Sequence, residues 1–171
     1  MAKLKVITDK NILHRVCKDV DMNDVEHCYE IANQLEKAFK DGECRMLGLS
    51  AIQLGIEENA CLIRDKNSKK KFNIYFNLQV RDIKGWKKSN EGCLSEPGVR
   101  IDVQRPIECT VEYDTLDGRH CVRTLKYPDT RVWCHEADHA KGILLQDIGT
   151  FNAEETRLYA TGAQIGAIKR F

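Results

Sequence analysis

The sequence predicts an α+β domain, in which mainly antiparallel strands pack around a central helix, with an N-terminal helix and a C-terminal helix. Three observations predict this fold class. Residues 23 to 40 carry apolar side chains at helical spacing, residues 44 to 127 hold short β-branched and aromatic runs between turn signals, and residues 129 to 142 are bounded by helix start and stop signals. No internal repeat, low-complexity tract or linker interrupts the chain. We therefore predict a single domain over residues 1–171.

The first helix is predicted from about Asn23 to Lys40. Asn23, followed by Glu26 three residues later, resembles a capping box, and Gly42 is a suitable stop. The buried face of this helix is predicted from a stripe of apolar residues at helical spacing, namely Val25, Cys28, Ile31, Leu35 and Phe39.

The strands are predicted from three runs. These are "NACLIRD" at 59–65, "KFNIYFNLQVRDI" at 71–83, and residues 107–127, which read as two strands joined around Asp117-Gly118. The basic run "KNSKKK" at 66–71 fits a solvated hairpin tip between two apolar segments. A last helix is predicted over about Ala153 to Lys169, although Gly162 and Gly166 weaken it.

The composition excludes several classes of protein. The 27 basic and 26 acidic residues nearly cancel, so neither DNA nor a membrane surface is expected as a partner. The chain has no run of 18 apolar residues, so no membrane span is predicted. The eight cysteines are scattered, and the first residues lack the apolar stretch of a secretory signal. We therefore expect reduced thiols and a cytoplasmic location.

The stretch "VWCHEADHAKG", residues 132 to 142, is the strongest chemical signal in the chain. On a helix, His135 and His139 lie on one face and can present ring nitrogens to one metal ion. Glu136 is turned about 100° away, where it can reach a water beside the metal without being a ligand. Asp129 is predicted to cap this helix, and Gly142 to end it in the left-handed conformation.

Two histidines need a third ligand, and the sequence offers three places for it. The longer zinc-protease pattern would require a histidine where this chain has Leu145, and leucine cannot bind a metal ion. Glu154 or Glu155 could serve from the start of the last helix. Cys93, in the turn-rich segment "NEGCLSEPG" at 90–98, could instead present a thiolate and leave a fourth position for water. The residues alone leave this choice open.

Three blocks of sequence together resemble the peptide deformylase family. "GLSAIQLG" at 48–55 is similar to the first motif of that family, "EGCLS" at 91–95 matches the second motif in every position, and "HEADH" at 135–139 matches the third. The resemblance extends weakly into the N-terminal residues and covers most of the chain. It implies the deformylase fold and the removal of the formyl group from the N-terminal formylmethionine of newly made polypeptides.

The resemblance also implies roles for residues at the reaction centre. Cys93, His135 and His139 would hold one divalent metal ion, and Glu136 would act as general acid and base. The side chain of Gln53 and the backbone N–H of Leu94 would stabilise the oxyanion. Fe²⁺ is expected as the native ion, and Zn²⁺, Ni²⁺ or Co²⁺ would also suit one thiolate and two imidazoles.

Substrate binding in the family resembles strand addition. The expected partners are N-formylmethionyl nascent peptides, with a transient ribosome contact as a further candidate. The peptide backbone would pair near Leu47 and Gly48 and with Gly92, and the methionine side chain would enter an apolar pocket with Val132 in its wall. Arg100 and Arg105 match arginines that help to fix the second motif by ion pairing.

The chain also departs from the family pattern. Met46 stands where a glycine is usual, Ser50 replaces an alanine, and Arg131 places a charge beside the predicted methionine pocket. These differences leave two alternative functions open. One is a non-catalytic relative that binds metal or peptide, and the other is a zinc endopeptidase that uses Glu154 or Glu155 as a ligand.

Overall fold

The computed structural model describes residues 5–42, 46–65 and 67–160. Five α-helices are present in this part of the chain: α1 Lys10–Leu13, α2 Val25–Asp41, α3 Asp129–Ala140, α4 Leu145–Ile148 and α5 Ala153–Ala160. A short 3₁₀ helix covers Ala51–Leu54. The predicted last helix is confirmed as far as Ala160, and the remainder of that prediction lies outside the described residues.

Helix α2 begins one residue later than the predicted cap implies. The side chain of Asp24 accepts a hydrogen bond from the backbone N–H of His27 at 3.1 Å, so Asp24 is the N-cap. The prediction of Asn23 as the cap was wrong because Asp21 accepts both the backbone and the side-chain N–H of Asn23 in a local turn. Gly42 ends the helix as predicted.

One antiparallel sheet holds the strands of the described residues together. The strands are β1 Gly48–Ser50, β2 Ala60–Arg64, β3 Phe72–Cys93, β4 Glu96–Thr115, β5 His120–Lys126 and β6 Thr150–Phe151. Their order is β1-β2-β3-β4-β5, with β6 pairing with one end of β4. Strand β1 therefore lies at an edge of the sheet. The hairpin predicted at Asp117-Gly118 is confirmed, with Gly118 at φ 78°.

Strands β3 and β4 form a long hairpin that carries the second motif at its tip. Cys93 is the last residue of β3, and Cys93 pairs with Glu96 across the turn. The register shifts three times along the hairpin. The shift between Glu91 and Cys93 falls at Gly92, directly before the cysteine. Such a bulge changes the direction in which the following side chain points.

Helix α3 packs across the sheet through aromatic side chains. The ring of Trp133 lies 4.5 Å from that of Tyr75 and 5.3 Å from that of Tyr113, between ring centroids. The buried hydroxyl of Thr130 donates to the carbonyl of Pro106 at 2.6 Å and fixes the first turn of the helix. These contacts determine where the two histidines of α3 lie.

The ends of α3 differ in how well they match the predictions. Pro128 occupies the N-cap position, without a side-chain hydrogen bond, and Asp129 is already the first helical residue. The prediction of Asp129 as the cap was therefore wrong, because Pro128 already has a helical backbone conformation and its carbonyl accepts the N–H of Arg131 at 3.1 Å. Gly142 has φ 71° and follows the helix as predicted.

The seven cysteines in the described residues are free thiols, and Cys44 lies outside them. Within the described part of the chain, no helix is both long and apolar enough to cross a membrane.

Candidate metal centre

The end of β3 and one face of α3 bring three candidate metal ligands together. Sγ of Cys93 lies 3.3 Å from Nε2 of His139, and the ligand atoms of Cys93, His135 and His139 all lie within 4.8 Å of one another. No other group of three His, Cys, Asp or Glu side chains in the described residues could hold a metal ion, and neither Glu154 nor Glu155 belongs to this one.

The chemistry of this group fits a divalent metal ion. Ligands about 2.0–2.3 Å from one ion lie about 3–4 Å from each other. The 3.3 Å between Cys93 and His139 falls in this range, and small movements would bring the whole group, now within 4.8 Å, around one ion. Burial lowers the pKa of His139 well below its ordinary value, so that its ring is neutral, the form that binds metal. Burial also lowers the pKa of His135, but hydrogen bonds with Cys93 and Glu91 reverse this and raise it. These electronegative groups would also favour a metal cation.

A buried network of charged side chains orients the ring of His135. Oε2 of Glu91 lies 3.1 Å from Nδ1 of His135, which leaves Nε2 of that ring for a metal. Arg105 donates to both oxygens of Glu91 at 2.9 Å and to Asp138 at 2.6 Å. Burial raises the pKa of Glu91, but the hydrogen bonds from His135 and Arg105 outweigh it and hold this pKa well below its ordinary value.

The network shows which of the two candidate arginines forms ion pairs at the site. Arg105 is only 3% exposed and pairs with Glu91 and Asp138. Arg100 instead donates to the side-chain and backbone carbonyls of Asn90, at 2.8 and 2.7 Å. Sequence reasoning left the role of Asp138 undecided, and its partner Arg105 lies 33 positions away in the chain.

Glu136 is buried beside the three ligands. Burial raises the pKa of Glu136 to about 7, and the nearby imidazole of His135 opposes this shift. The backbone of Gly48 packs directly against the carboxylate, and a Cβ atom at this position would overlap Oε1 of Glu136. The first and third motifs are therefore in direct contact.

Gln53 is held in one orientation by both ends of its amide. Oε1 accepts the backbone N–H of Ser50 at 2.9 Å, and Nε2 donates to the hydroxyl of Ser95 at 3.0 Å. Nε2 also lies 3.5 Å from Sγ of Cys93, so the donor end of the amide points into the metal centre. Ser95 is a site residue that sequence reasoning missed, although it is the last residue of the "EGCLS" block.

A cavity of about 280 Å³ opens onto these groups. Most of the predicted site residues line it, namely Leu47, Gly48, Gln53, Gly92, Cys93, Leu94, Val132, His135 and Glu136. His139 lies behind the wall, at 2% exposure. Met46 and Arg131, two of the departures from the family pattern, also line this cavity.

This fold and this site define a class of protein, the metal-dependent hydrolases with one thiolate and two imidazole ligands and a neighbouring carboxylate. A model of the polypeptide deformylase family matches residues 1–152. The peptide deformylase of Chlorobium luteolum is 30% identical over 142 residues, covering 80% of this chain and 72% of the relative. That of Dictyoglomus thermophilum is 32% identical over 136 residues, covering 80% and 85%. A third, from Pelagibacter ubique, is 35% identical over 109 residues, and the match spans 60% of that relative.

Solved structures agree with these sequence matches. A Plasmodium falciparum peptide deformylase superimposes with a TM-score of 0.76 at 25% identity, over 91% of this chain and 90% of that one. A probable peptide deformylase from Synechococcus phage S-SSM7 gives 0.75 at 27% identity, over 86% and 99%. The chain belongs to the peptide deformylase family. The predicted fold class, family and enzyme class are confirmed.

Proposed function

We propose that the chain removes the formyl group from the N-terminal formylmethionine of newly made polypeptides, with one divalent metal ion held by Cys93, His135 and His139. One observation carries the proposal. Cys93, His135 and the buried carboxylate of Glu136 line one cavity, and His139 lies directly behind its wall, at the junction of the three sequence motifs. Membership of the deformylase family supports the same reaction.

The proposed metal ion would supply a water of near-neutral pKa and polarise the formyl carbonyl. The three side chains would hold it, and Glu91 would keep the ring of His135 in the tautomer that leaves Nε2 for the ion. We propose Fe²⁺ as the native ion, with Zn²⁺, Ni²⁺ and Co²⁺ as replacements that suit the same ligands.

Glu136 is proposed to move the proton. A carboxyl group with a pKa of about 7 can accept a proton from the attacking water and later donate it to the amine that leaves. Its burial excludes bulk water, which would otherwise compete for that proton. Because Gly48 has no side chain, the carboxylate of Glu136 can lie directly against the backbone of the first motif, beside the proposed path of the substrate.

Gln53 and Leu94 are proposed to stabilise the oxyanion that forms on the formyl oxygen. The amide of Gln53 is already oriented with Nε2 toward the metal centre, so no reorganisation is needed when charge develops. Leu94 directly follows Cys93 at the tip of the β3–β4 hairpin, which suits its backbone N–H for the second donor.

The substrate is proposed to extend the sheet at its edge. Strand β1 lies at the end of the strand order, and Leu47, Gly48 and Gly92 line the cavity beside it. A peptide in extended conformation can pair with this backbone and place the methionine side chain against Val132. Met46, which also lines the cavity, adds apolar surface for a methionine.

The test is formate release from a formyl-Met-Ala-Ser peptide by protein purified without oxygen. We expect the chelated protein to be inactive, and Fe²⁺ to restore more activity than Zn²⁺. Exposure of the Fe²⁺ form to air should then inactivate it. Identification of the products by mass spectrometry completes the test. Cleavage of an internal peptide bond, or no formate from any metal-loaded form, would contradict the proposal.

The proposed reaction also indicates where the enzyme acts and which assembly it contacts. Nascent formylated chains are made in the cytoplasm, so we propose that location, with a transient contact with the ribosome as chains emerge. Co-sedimentation with ribosomes that carry formylated nascent chains tests this contact. Equal recovery with empty ribosomes and without ribosomes would contradict it.

A further inference from the structure

A second and larger cavity adjoins the one that contains the metal centre. Its volume is about 440 Å³, against about 280 Å³ for the first. Leu47, Arg131 and Val132 line both cavities. The second cavity is therefore separated from the reaction centre only by residues that also line the proposed methionine pocket, and a bound peptide can reach it.

The second cavity combines an apolar wall with a positively charged rim. Ile63, Tyr75, Val132 and Trp133 supply the wall. Three arginines from three elements line the cavity, namely Arg64 of β2, Arg123 of β5 and Arg131 of α3, together with the two aspartates Asp65 and Asp129. The charged groups thus leave an excess of one positive charge. The oxygens of Asp65 also accept hydrogen bonds from the backbone N–H of Asn67 and the side chain of Asn73, each at 2.8 Å.

Arg123 is the member of this rim that most clearly suits an anion. Its guanidinium lies over the ring of Trp133, 5.6 Å from the centroid, which fixes its position through one face. Among the described residues, no carboxylate lies within ion-pair distance of Arg123. A guanidinium that contacts an aromatic ring in this way still has N–H donors with which arginine can bind a carboxylate.

We propose that this second cavity is a specificity subsite that takes an acidic side chain at the third residue of the formylated peptide. Successive side chains of an extended strand point to opposite sides, so residues one and three share a side about 7 Å apart. With the methionine in the first cavity, the third side chain points toward the adjoining second cavity. The inference rests on the proposed function and deepens it, because it names the class of substrate that the enzyme prefers.

The test compares kcat/KM for C-terminally amidated peptides with the holoenzyme. Formyl-Met-Ala-Asp should exceed formyl-Met-Ala-Asn by about threefold to tenfold, mainly through a lower KM, and the ratio should fall with rising salt. Formyl-Met-Ala-Lys should be the poorest of the three. Arg123→Gln should bring the ratio of Asp to Asn close to one, and Arg123→Lys should retain a preference for Asp. Arg119→Gln is the matched control, since it removes a guanidinium outside the cavity, and it should keep the wild-type ratio.

Three results would overturn the inference without affecting the proposed function. One is an equal kcat/KM for the Asp and Asn peptides in the wild type, and a second is an equal gain when aspartate stands at the second residue. The third is a ratio that survives Arg123→Gln. Absence of formate from every peptide with the metal-loaded wild type would overturn the proposed function, and the inference with it.

Discussion

Gly48 shows how closely the first motif approaches the carboxylate of Glu136. A Cβ atom on Gly48 would overlap Oε1 and lie 2.9 Å from Cγ of that side chain. The obstacle is the buried side chain of Glu136, which is only 4% exposed and could make room for a methyl group only by shifting within the cavity it lines. The glycine is therefore required by a close approach between two motifs.

We expect Gly48→Ala to lower kcat/KM about 100-fold, because a displacement of about 1 Å at the reacting groups costs this much. Bound metal should be unchanged, since the three atoms nearest to the new methyl group all belong to Glu136 and none to a proposed ligand. Gly118→Ala is the control. It strains a turn with positive φ and open space around it, so it should cost about 1 kcal/mol of stability and leave kcat/KM unchanged. Full activity of Gly48→Ala would refute the contact.

Glu91 joins a metal ligand to a buried arginine, so its replacement should affect both binding and folding. Glu91→Gln leaves Arg105 with a weaker partner, and we expect a loss of about 3–5 kcal/mol in the free energy of unfolding. Metal affinity should fall about 10- to 100-fold, because His135 loses the group that orients it. Urea unfolding and metal titration measure the two effects. Glu108→Gln, which removes an exposed partner of Lys84, should change the free energy of unfolding by less than about 1 kcal/mol and leave the affinity unchanged.

At the scale of elements, the three longer helices α2, α3 and α5 and the β4–β5 hairpin could be predicted from the sequence, but the short helices α1 and α4 and the length of β3 could not. Residues 81–88 are exposed, and five of these eight are charged, so their pattern resembles a loop more than a strand. They form a strand because β4 supplies hydrogen-bond partners along almost its whole length. Such pairing between distant segments leaves no periodic signal in either one.

At the site too, residues within short motifs could be recognised from the sequence, whereas contacts between distant segments could not. The three candidate ligands and Glu136 could be proposed from three short motifs, and the structure brings them together. The contact of Gly48 with Glu136, the hydrogen bond of Ser95 with Gln53 and the ion pair of Arg105 with Asp138 could not. Each joins residues on different elements: the first and third depend on the packing of α3 on the sheet, and the second joins the 3₁₀ helix to the turn between β3 and β4.

Asp102 of β4 bonds to residues of β3 and to the residue before α5. Because these bonds are strongest when Asp102 is ionised, their contribution to stability depends on pH. It bonds Lys88 at 2.7 Å and Asn90 at 2.6 Å, both on β3, and Asn152 at 2.9 Å, before α5. The hydrogen bond from Lys88 is the main cause that lowers the pKa of Asp102 to about 2, from 3.8. A folded-state pKa below the unfolded value stabilises the fold above about pH 4, and this contribution is lost as the pH falls toward 2.

We therefore expect Asp102→Asn to lower the free energy of unfolding by about 1 kcal/mol at pH 6, a value reduced by solvent around the exposed lysine. The difference from the wild type should shrink steadily between pH 4 and pH 2 in urea unfolding experiments. In a Lys88→Gln background, the aspartate substitution should have a smaller effect. A difference that grows as the pH falls would contradict this account.

For the molecule as a whole, the proposed metal centre would cross-link the sheet and α3. Cys93 comes from the end of β3, and both histidines come from α3, more than 40 residues later. An ion that binds the folded chain and not the unfolded one stabilises the fold by mass action. Loss of the ion should therefore loosen the packing of α3 on the sheet.

We expect chelation to lower the Tm of the wild type, with a loss of about 3–4 kcal/mol when free metal exceeds Kd by 100- to 1,000-fold. Cys93→Ser should show a much smaller effect of metal, because it removes the thiolate ligand. Cys121→Ser, a free cysteine of β5 outside the metal-ligand group, should retain the full effect. Calorimetry with and without chelator makes the comparison. An equal response of Cys93→Ser and wild type would mean that this thiol does not hold the ion.

The most direct test of the central claim is formate release by Fe²⁺-loaded wild type and by Glu136→Gln, with bound metal quantified in both. The amide keeps the shape of the buried carboxyl group but cannot accept the proton from water, so we predict a fall in kcat of about 10²- to 10⁴-fold with an undiminished metal content. Wild-type turnover with this result would establish a metal-dependent deformylase with Glu136 as its acid and base. Equal turnover by a metal-loaded Glu136→Gln would contradict that role, and no formate from the metal-loaded wild type would contradict the proposed function itself.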